Sequence, residues 1–323
     1  MSFESASVDS YKGLVAEPTE YHQAAIGNGK VWIFSRKYAD QRAFNWGHRV
    51  HYVGGYAIPY DPATKKYGTA IEIPAISAEE DAEELIFSHN GHVFLLLTNA
   101  FGEPAFRSLH KWTEKSWEKV ADFGSPSVGE DRAHIYWALA DGNSKGDKII
   151  IGKGNLIKLF RLKIDDTSAS ISLEYEISQD VNFLSACPVG GVVSGDSVLV
   201  SLGVHGCGFR WENSRFIKVD LTKKSAEIAN VEGEYDTLPT FCFSGPYLKA
   251  LTKGGDWVAV AGSTQMGMTG SKFNDQVWKL SGLHNELCWT KCDTSVPAVE
   301  GDDFVGAYDE SIGIVYVITS NAV

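Results

Sequence analysis

Asp302-Asp303-Phe304-Val305-Gly306-Ala307-Tyr308, then Gly313-Ile314-Val315-Tyr316-Val317-Ile318, reads as an acidic opening, a short strand with small residues, a turn and a strand rich in β-branched residues. Short apolar runs of this kind, bounded by Gly and Asp, predict a strand–turn–strand unit. The same arrangement recurs five times upstream. Its second strands fall at Val31, Val93, Ile149, Val198 and Val258, before Val315, at spacings of 49 to 62 residues.

Most copies carry two further strands. The first copy predicts strands at 20–26, 30–34, 56–60 and 70–73, with a loop from Ser35 to about Gly55. The second predicts 83–87, 92–97, 108–112 and 117–120, its first turn at Asn90-Gly91, where both residues accept positive φ. The third opens at Glu130, with strands at 148–151, 158–162 and 171–177. The fourth has an inner strand between Phe183 and Val193, then 197–201, 216–219 and 226–231. The fifth gives 248–251, 257–260, 276–280 and 286–289, and the sixth only its first two strands. Four strands in a period near fifty, with no sustained 3.6-residue period, predict an all-β chain. It should be a six-bladed β-propeller with four-stranded antiparallel blades, a single domain over residues 1–323. Residues 1–19 hold two extended stretches without partners, and they are expected to complete the last blade and close the ring.

The turn Tyr60-Asp61-Pro62-Ala63-Thr64-Lys65-Lys66-Tyr67 recurs as Val219-Asp220-Leu221-Thr222-Lys223-Lys224. It resembles the third-to-fourth-strand turn of kelch repeats, in which Asp caps the turn and a later aromatic packs between blades. The Trp112/Trp117 and Trp278/Trp289 pairs are similarly placed. Arg132-Ala133-His134 resembles the Arg-x-x-His opening of a kelch inner strand, one residue shorter. Single glycines (Gly152, Gly203, Gly262) stand where that family has a pair. The whole chain thus resembles a divergent kelch-like repeat propeller. Neither catalytic residues nor a resident cofactor is expected.

The 323 residues include 29 Lys and Arg against 41 Asp and Glu, a formal charge of −12. That balance argues against a nucleic-acid backbone or an anionic membrane as partner and suits a neutral or basic one, while acidity is also the commonest route to plain solubility. No apolar run is long enough to span a membrane, and Met1-Ser2-Phe3-Glu4-Ser5 lacks the pattern of a signal peptide. The five cysteines, at 187, 207, 242, 288 and 292, are odd in number and have no CxxC spacing. Reduced thiols in a cytoplasmic monomer are expected.

In a blade the fourth-to-first and second-to-third strand connections share one face, and binding on repeat scaffolds resides in such loops. The first set carries Glu20, Glu83/Glu84, Glu130/Asp131, Asp180, Asp236 and Asp302/Asp303. These carboxylates either cap their own turns or form a rim that holds a basic segment or Ca²⁺ at the channel mouth. Asp131, Asp236 and Asp303 are the rim candidates. The second set carries Arg36, Lys37, Arg42, Trp46, His48 and Arg49, then His205, Cys207, Arg210 and Trp211. Of these Arg36, Arg42, His48, His205 and Arg210 are the binding candidates. His205-x-Cys207 has no second metal-ligand pair at usable spacing. No nucleophile elbow, Walker loop or dinucleotide fingerprint is present. The expected function is a non-enzymatic protein or peptide interaction module. The alternatives are a cation-dependent, lactonase-like hydrolase and a carbohydrate-binding propeller.

Overall fold

The computed structural model describes residues 14, 20–38, 52–76, 82–99, 106–124, 136–140, 147–153, 156–165, 168–178, 186–194, 196–204, 215–232, 247–251, 257–260, 263–265, 271–273, 276–281, 287–295, 304–309 and 314–319. Among them there is no α-helix, and no helix long and apolar enough to cross a membrane.

Sheet 1 comprises β1 (Glu20–Gly27), β2 (Lys30–Tyr38), β3 (Tyr52–Asp61), β4 (Lys66–Tyr67) and β5 (Ile71–Ile73), the last two both paired with β3. Sheet 2 is β6 (Ala82–His89), β7 (His92–Asn99), β8 (Phe106–Trp112) and β9 (Trp117–Asp122). Sheet 3 is β10 (Tyr136–Ala140), β11 (Lys148–Lys153), β12 (Leu156–Ile164) and β13 (Ala169–Ser178). Sheet 4 is β14 (Ala186–Ser194), β15 (Ser197–Val204), β16 (Arg215–Asp220) and β17 (Ser225–Glu232). Sheet 5 holds β18 (Tyr247–Leu251) and β19 (Trp257–Val260), with a small hairpin of β20 (Ser263–Gln265) and β21 (Ser271–Phe273) before β22 (Gln276–Ser281) and β23 (Leu287–Ser295). β24 (Phe304–Asp309) and β25 (Ile314–Thr319) form sheet 6. Neighbouring strands run antiparallel throughout, apart from the β17–β23 pairing between sheets 4 and 5.

The first strands touch in series: β1 with β6, β6 with β10, β10 with β14, β14 with β18, β18 with β24, and β24 with β1. The core follows from this stacking. Side chains of a strand alternate between its two faces, so a strand buried on both sides supplies two cores at once. On β2, Val31 and Ile33 pack with Tyr56, Ile58, Tyr60 and Ala307 of sheet 6. Trp32 and Phe34 instead meet Val93 and Trp112 of sheet 2. On β7, Phe94 and Leu96 join Ile149 and Leu162 of sheet 3, and Ile150 faces Val198 and Ile217 of sheet 4. Apolar side chains on both faces explain why the second strands read as near-continuous apolar runs.

The turns follow their residues. Gly27 pairs with Lys30 and His89 with His92, leaving Asn28-Gly29 and Asn90-Gly91 as two-residue loops with all four φ positive. Such turns match the twist of the flanking strands. In the two Asp turns, Asp61 Oδ1 accepts the Ala63 N–H at 2.8 Å and Asp220 Oδ1 accepts the Lys223 N–H at 2.9 Å. Lys65 and Lys224 occupy the same left-handed place in each, with φ of 57° and 54°. The Ala63 N–H holds the Asp61 carboxyl below the usual carboxylate range, and the Lys223 N–H does the same for Asp220.

Two expectations need correction. The loop predicted from Ser35 to about Gly55 is shorter: β2 runs on to Tyr38 and β3 begins at Tyr52. Gly54 and Gly55, read as the loop's end, are ladder positions opposite Lys37 and Arg36. A Cβ on Gly55 would overlap the Ser35 carbonyl oxygen, so glycine is what lets these backbones close. The outer strands of sheets 4 and 5 are not separate edges either. β17 pairs in parallel with β23 at Val231–Leu287 and Glu232–Cys288, which joins both sheets into one of eight strands.

Candidate functional site

Of the residues singled out in the sequence, Arg36 is described together with its surroundings. It lies in β2 rather than in a loop. Asp131, Asp236, Asp303, Arg42, His48, His205 and Arg210 lie outside the described residues, as does Asp302, and so do residues 1–13 and 15–19 of the segment expected to complete sheet 6. Glu20 is the first residue of β1 and Glu84 is within β6.

Arg36 shares its face of β2 with Trp32 and Phe34, by the two-residue alternation, and therefore points at sheet 2. There its Nη2 lies 2.7 Å from Glu84 Oε2, with the side chains only 11% and 19% exposed. The acidic residue expected on the rim and the basic residue expected in the facing loop thus neutralise each other across the sheet 1–sheet 2 junction. Lys37, on the opposite face, donates to Glu72 Oε1 at 2.8 Å and stands 4.5 Å over the Tyr56 ring.

Arg36 and Glu84 border a small, solvent-open cleft. Its apolar lining includes Phe34, Ile73, Ile76, Ile86 and Trp117, and Gln23 and Ser35 add polar atoms. Phe34 and Trp117 lie tilted across one another at 4.9 Å between ring centroids, with Trp112 beneath both at 5.4 and 5.2 Å. Sequence reading anticipated the Trp112/Trp117 pair as packing between blades. It missed the cleft, because the signal is the meeting of β2 with β9, which no local pattern carries.

The junction below the cleft is stitched by side chains. Gln23 Nε2 donates to the Glu84 carbonyl and its Oε1 accepts the Ile86 N–H, both at 3.1 Å. Ser88 Oγ accepts the Ile26 N–H at 2.8 Å. At the far end Glu114 receives Lys30 Nζ at 2.7 Å and Asn28 Nδ2 at 2.9 Å. The Lys30 hydrogen bond holds the Glu114 carboxyl below its ordinary pKa. The Gln23 and Ser88 bonds occupy edge groups of the first strands, which would otherwise present bare N–H and C=O groups.

Two further groups resemble chemistry without supporting it. Ser108 Oγ is 2.9 Å from His110 Nε2, the spacing of a nucleophile and its base. Burial, reinforced by Lys119, pushes the His110 pKa down to about 4, which makes it a poor base at neutral pH. Asp122 is engaged with Lys119 Nζ and the Gly124 N–H rather than orienting the imidazole. His89 and His92 face one another across the Asn90-Gly91 turn. Burial lowers the His92 pKa, and the nearby Lys111 lowers it further, a charge that also opposes a metal cation. Among the described residues no group of three or more His, Cys, Asp or Glu is arranged to hold a metal ion.

No protein-family model matches the chain, and no curated protein sequence does. Among solved structures, an exo-β-1,3-galactanase from Clostridium thermocellum is similar over 91% of this chain and 69% of its own, at 11% identity and a TM-score of 0.47. The Dos1 propeller is similar over 94% of this chain and 67% of its own, at 12% identity and a TM-score of 0.43. A fungal alcohol oxidase of the AA5 family in complex with copper covers 90% of this chain and 69% of its own, at 8% identity and a TM-score of 0.46.

Proposed function

We propose that the chain is a six-bladed, kelch-like β-propeller that works as a non-enzymatic binding module. It takes a protein or peptide segment on the face where the second-to-third and fourth-to-first strand connections emerge. The observation that carries this reading is the cycle of contacts among the six first strands, β1 through β24 and back to β1. In the proposed ring, the Arg36 and Glu84 ends of sheets 1 and 2, and the corresponding ends of the other sheets, lie around one axis. In this reading residues 1–19 complete sheet 6, and deleting residues 1–18 lowers the melting temperature sharply or causes aggregation.

The partner is basic. The chain carries −12, and Arg36 and Lys37 are already neutralised by Glu84 and Glu72. In this reading Asp131, Asp236 and Asp303 meet the cationic segment, and Arg42, His48, His205 and Arg210 contribute from the surrounding loops. The test is binding of Lys/Arg-rich and Asp/Glu-rich peptides, read by fluorescence anisotropy, to the full chain and to Asp131→Asn and Asp303→Asn. Binding of the basic peptides alone, abolished in variants that melt like the parent, supports the reading. Destabilised variants that bind normally overturn it. Stoichiometric Ca²⁺ surviving dialysis would favour the cation-dependent hydrolase instead.

Carbohydrate binding is a second reading, favoured by the half-buried Trp117 lining the cleft over Phe34. Aromatic faces of this kind stack on the apolar face of a sugar ring. Saccharide-induced change in tryptophan fluorescence that disappears in Trp117→Ala would support it, and an unresponsive parent protein would remove it.

A further inference from the structure

We draw no further inference here: the strongest candidate, the cleft between sheets 1 and 2 bordered by Arg36, Glu84, Phe34 and Trp117, belongs to the site already described, and nothing in the structure shows what covers its mouth.

Discussion

Gln23 stands in for a strand neighbour of Glu84. Its side-chain amide donates to the Glu84 carbonyl and accepts the next inward-facing N–H, that of Ile86, each at 3.1 Å. One side chain on β1 thereby reproduces the donor–acceptor pattern of a β-ladder on β6, where no ladder exists. It does so directly beside the Arg36–Glu84 pair.

Replacing Gln23 by Leu keeps the bulk and removes both bonds, leaving two part-buried backbone groups of β6 unmatched. Each such loss costs roughly 1–3 kcal/mol when water cannot reach the group. With partial access the expected total is about 2 kcal/mol, read as a lower urea midpoint at unchanged slope. Gln23→Glu should cost a similar amount, because the carboxylate cannot donate to the Glu84 carbonyl.

Glu114 holds a left-handed conformation, φ 67°, while receiving Lys30 and Asn28. Glu114→Ala loses both bonds and keeps the backbone cost, whereas Glu114→Gly loses the bonds but relieves that cost, worth about 1 kcal/mol. The glycine variant should therefore be the more stable of the two by roughly that amount. Thermal melts of the pair decide it, and equal stability would mean that the backbone here is unstrained.

Trp32 and Trp112 are both buried, but their indole N–H groups differ. Trp32 Nε1 donates to the Gly27 carbonyl at 3.3 Å, while Trp112 Nε1 has no hydrogen-bond acceptor among the described residues. Trp112→Phe therefore loses packing volume alone, and Trp32→Phe loses packing and a hydrogen bond. Trp32→Phe should be the costlier by about 1 kcal/mol in chemical denaturation.

His110 makes stability depend on pH. Its folded pKa, about 4, lies below the unfolded value of about 6.5, so between these pH values the unfolded chain binds more protons. The contribution of the neutral imidazole is complete above about pH 6.5 and is lost as pH falls towards 4, at most about 3 kcal/mol. Urea melts at pH 7.5 and 4.5 should show the loss in the parent and a smaller one in His110→Gln. An unchanged pH dependence in the variant would assign the effect to other groups.

Cys288 and Cys292 both lie in β23 as thiols outside any disulfide, and burial pushes the Cys292 thiol up, which slows its reaction at neutral pH. Thiol titration should therefore label Cys288 faster than Cys292 in the native protein, and count five thiols in denaturant without reductant. A pair released only by reductant would place a disulfide among the cysteines outside the described residues.

The sequence by itself determined most of the strands and the turns that join them. Runs such as Val31–Phe34 and Ile314–Val317 declare themselves through β-branched and aromatic residues in short apolar stretches. Asn90-Gly91, Asp61 and Asp220 declare their turns through residues whose own side chains or φ preferences make the turn. These signals are local, a few residues long, and need no knowledge of what packs where. Arg36 reads as a loop residue in the sequence, whereas it stands within β2. Gly54-Gly55 signals a turn in isolation, and only pairing with Arg36 and Lys37 shows that glycine is there for close approach. The tertiary structure alone decided which first strands touch, and that β17 joins β23. It alone decided that Gln23 serves β6 across 61 residues of chain, and that Arg36 spends its charge on Glu84. Each of these joins segments far apart in sequence through contacts that no local pattern of residues carries. The interactions are selected by the packing of whole sheets, because a sheet apolar on both faces must find a neighbour before any single polar side chain can find its partner.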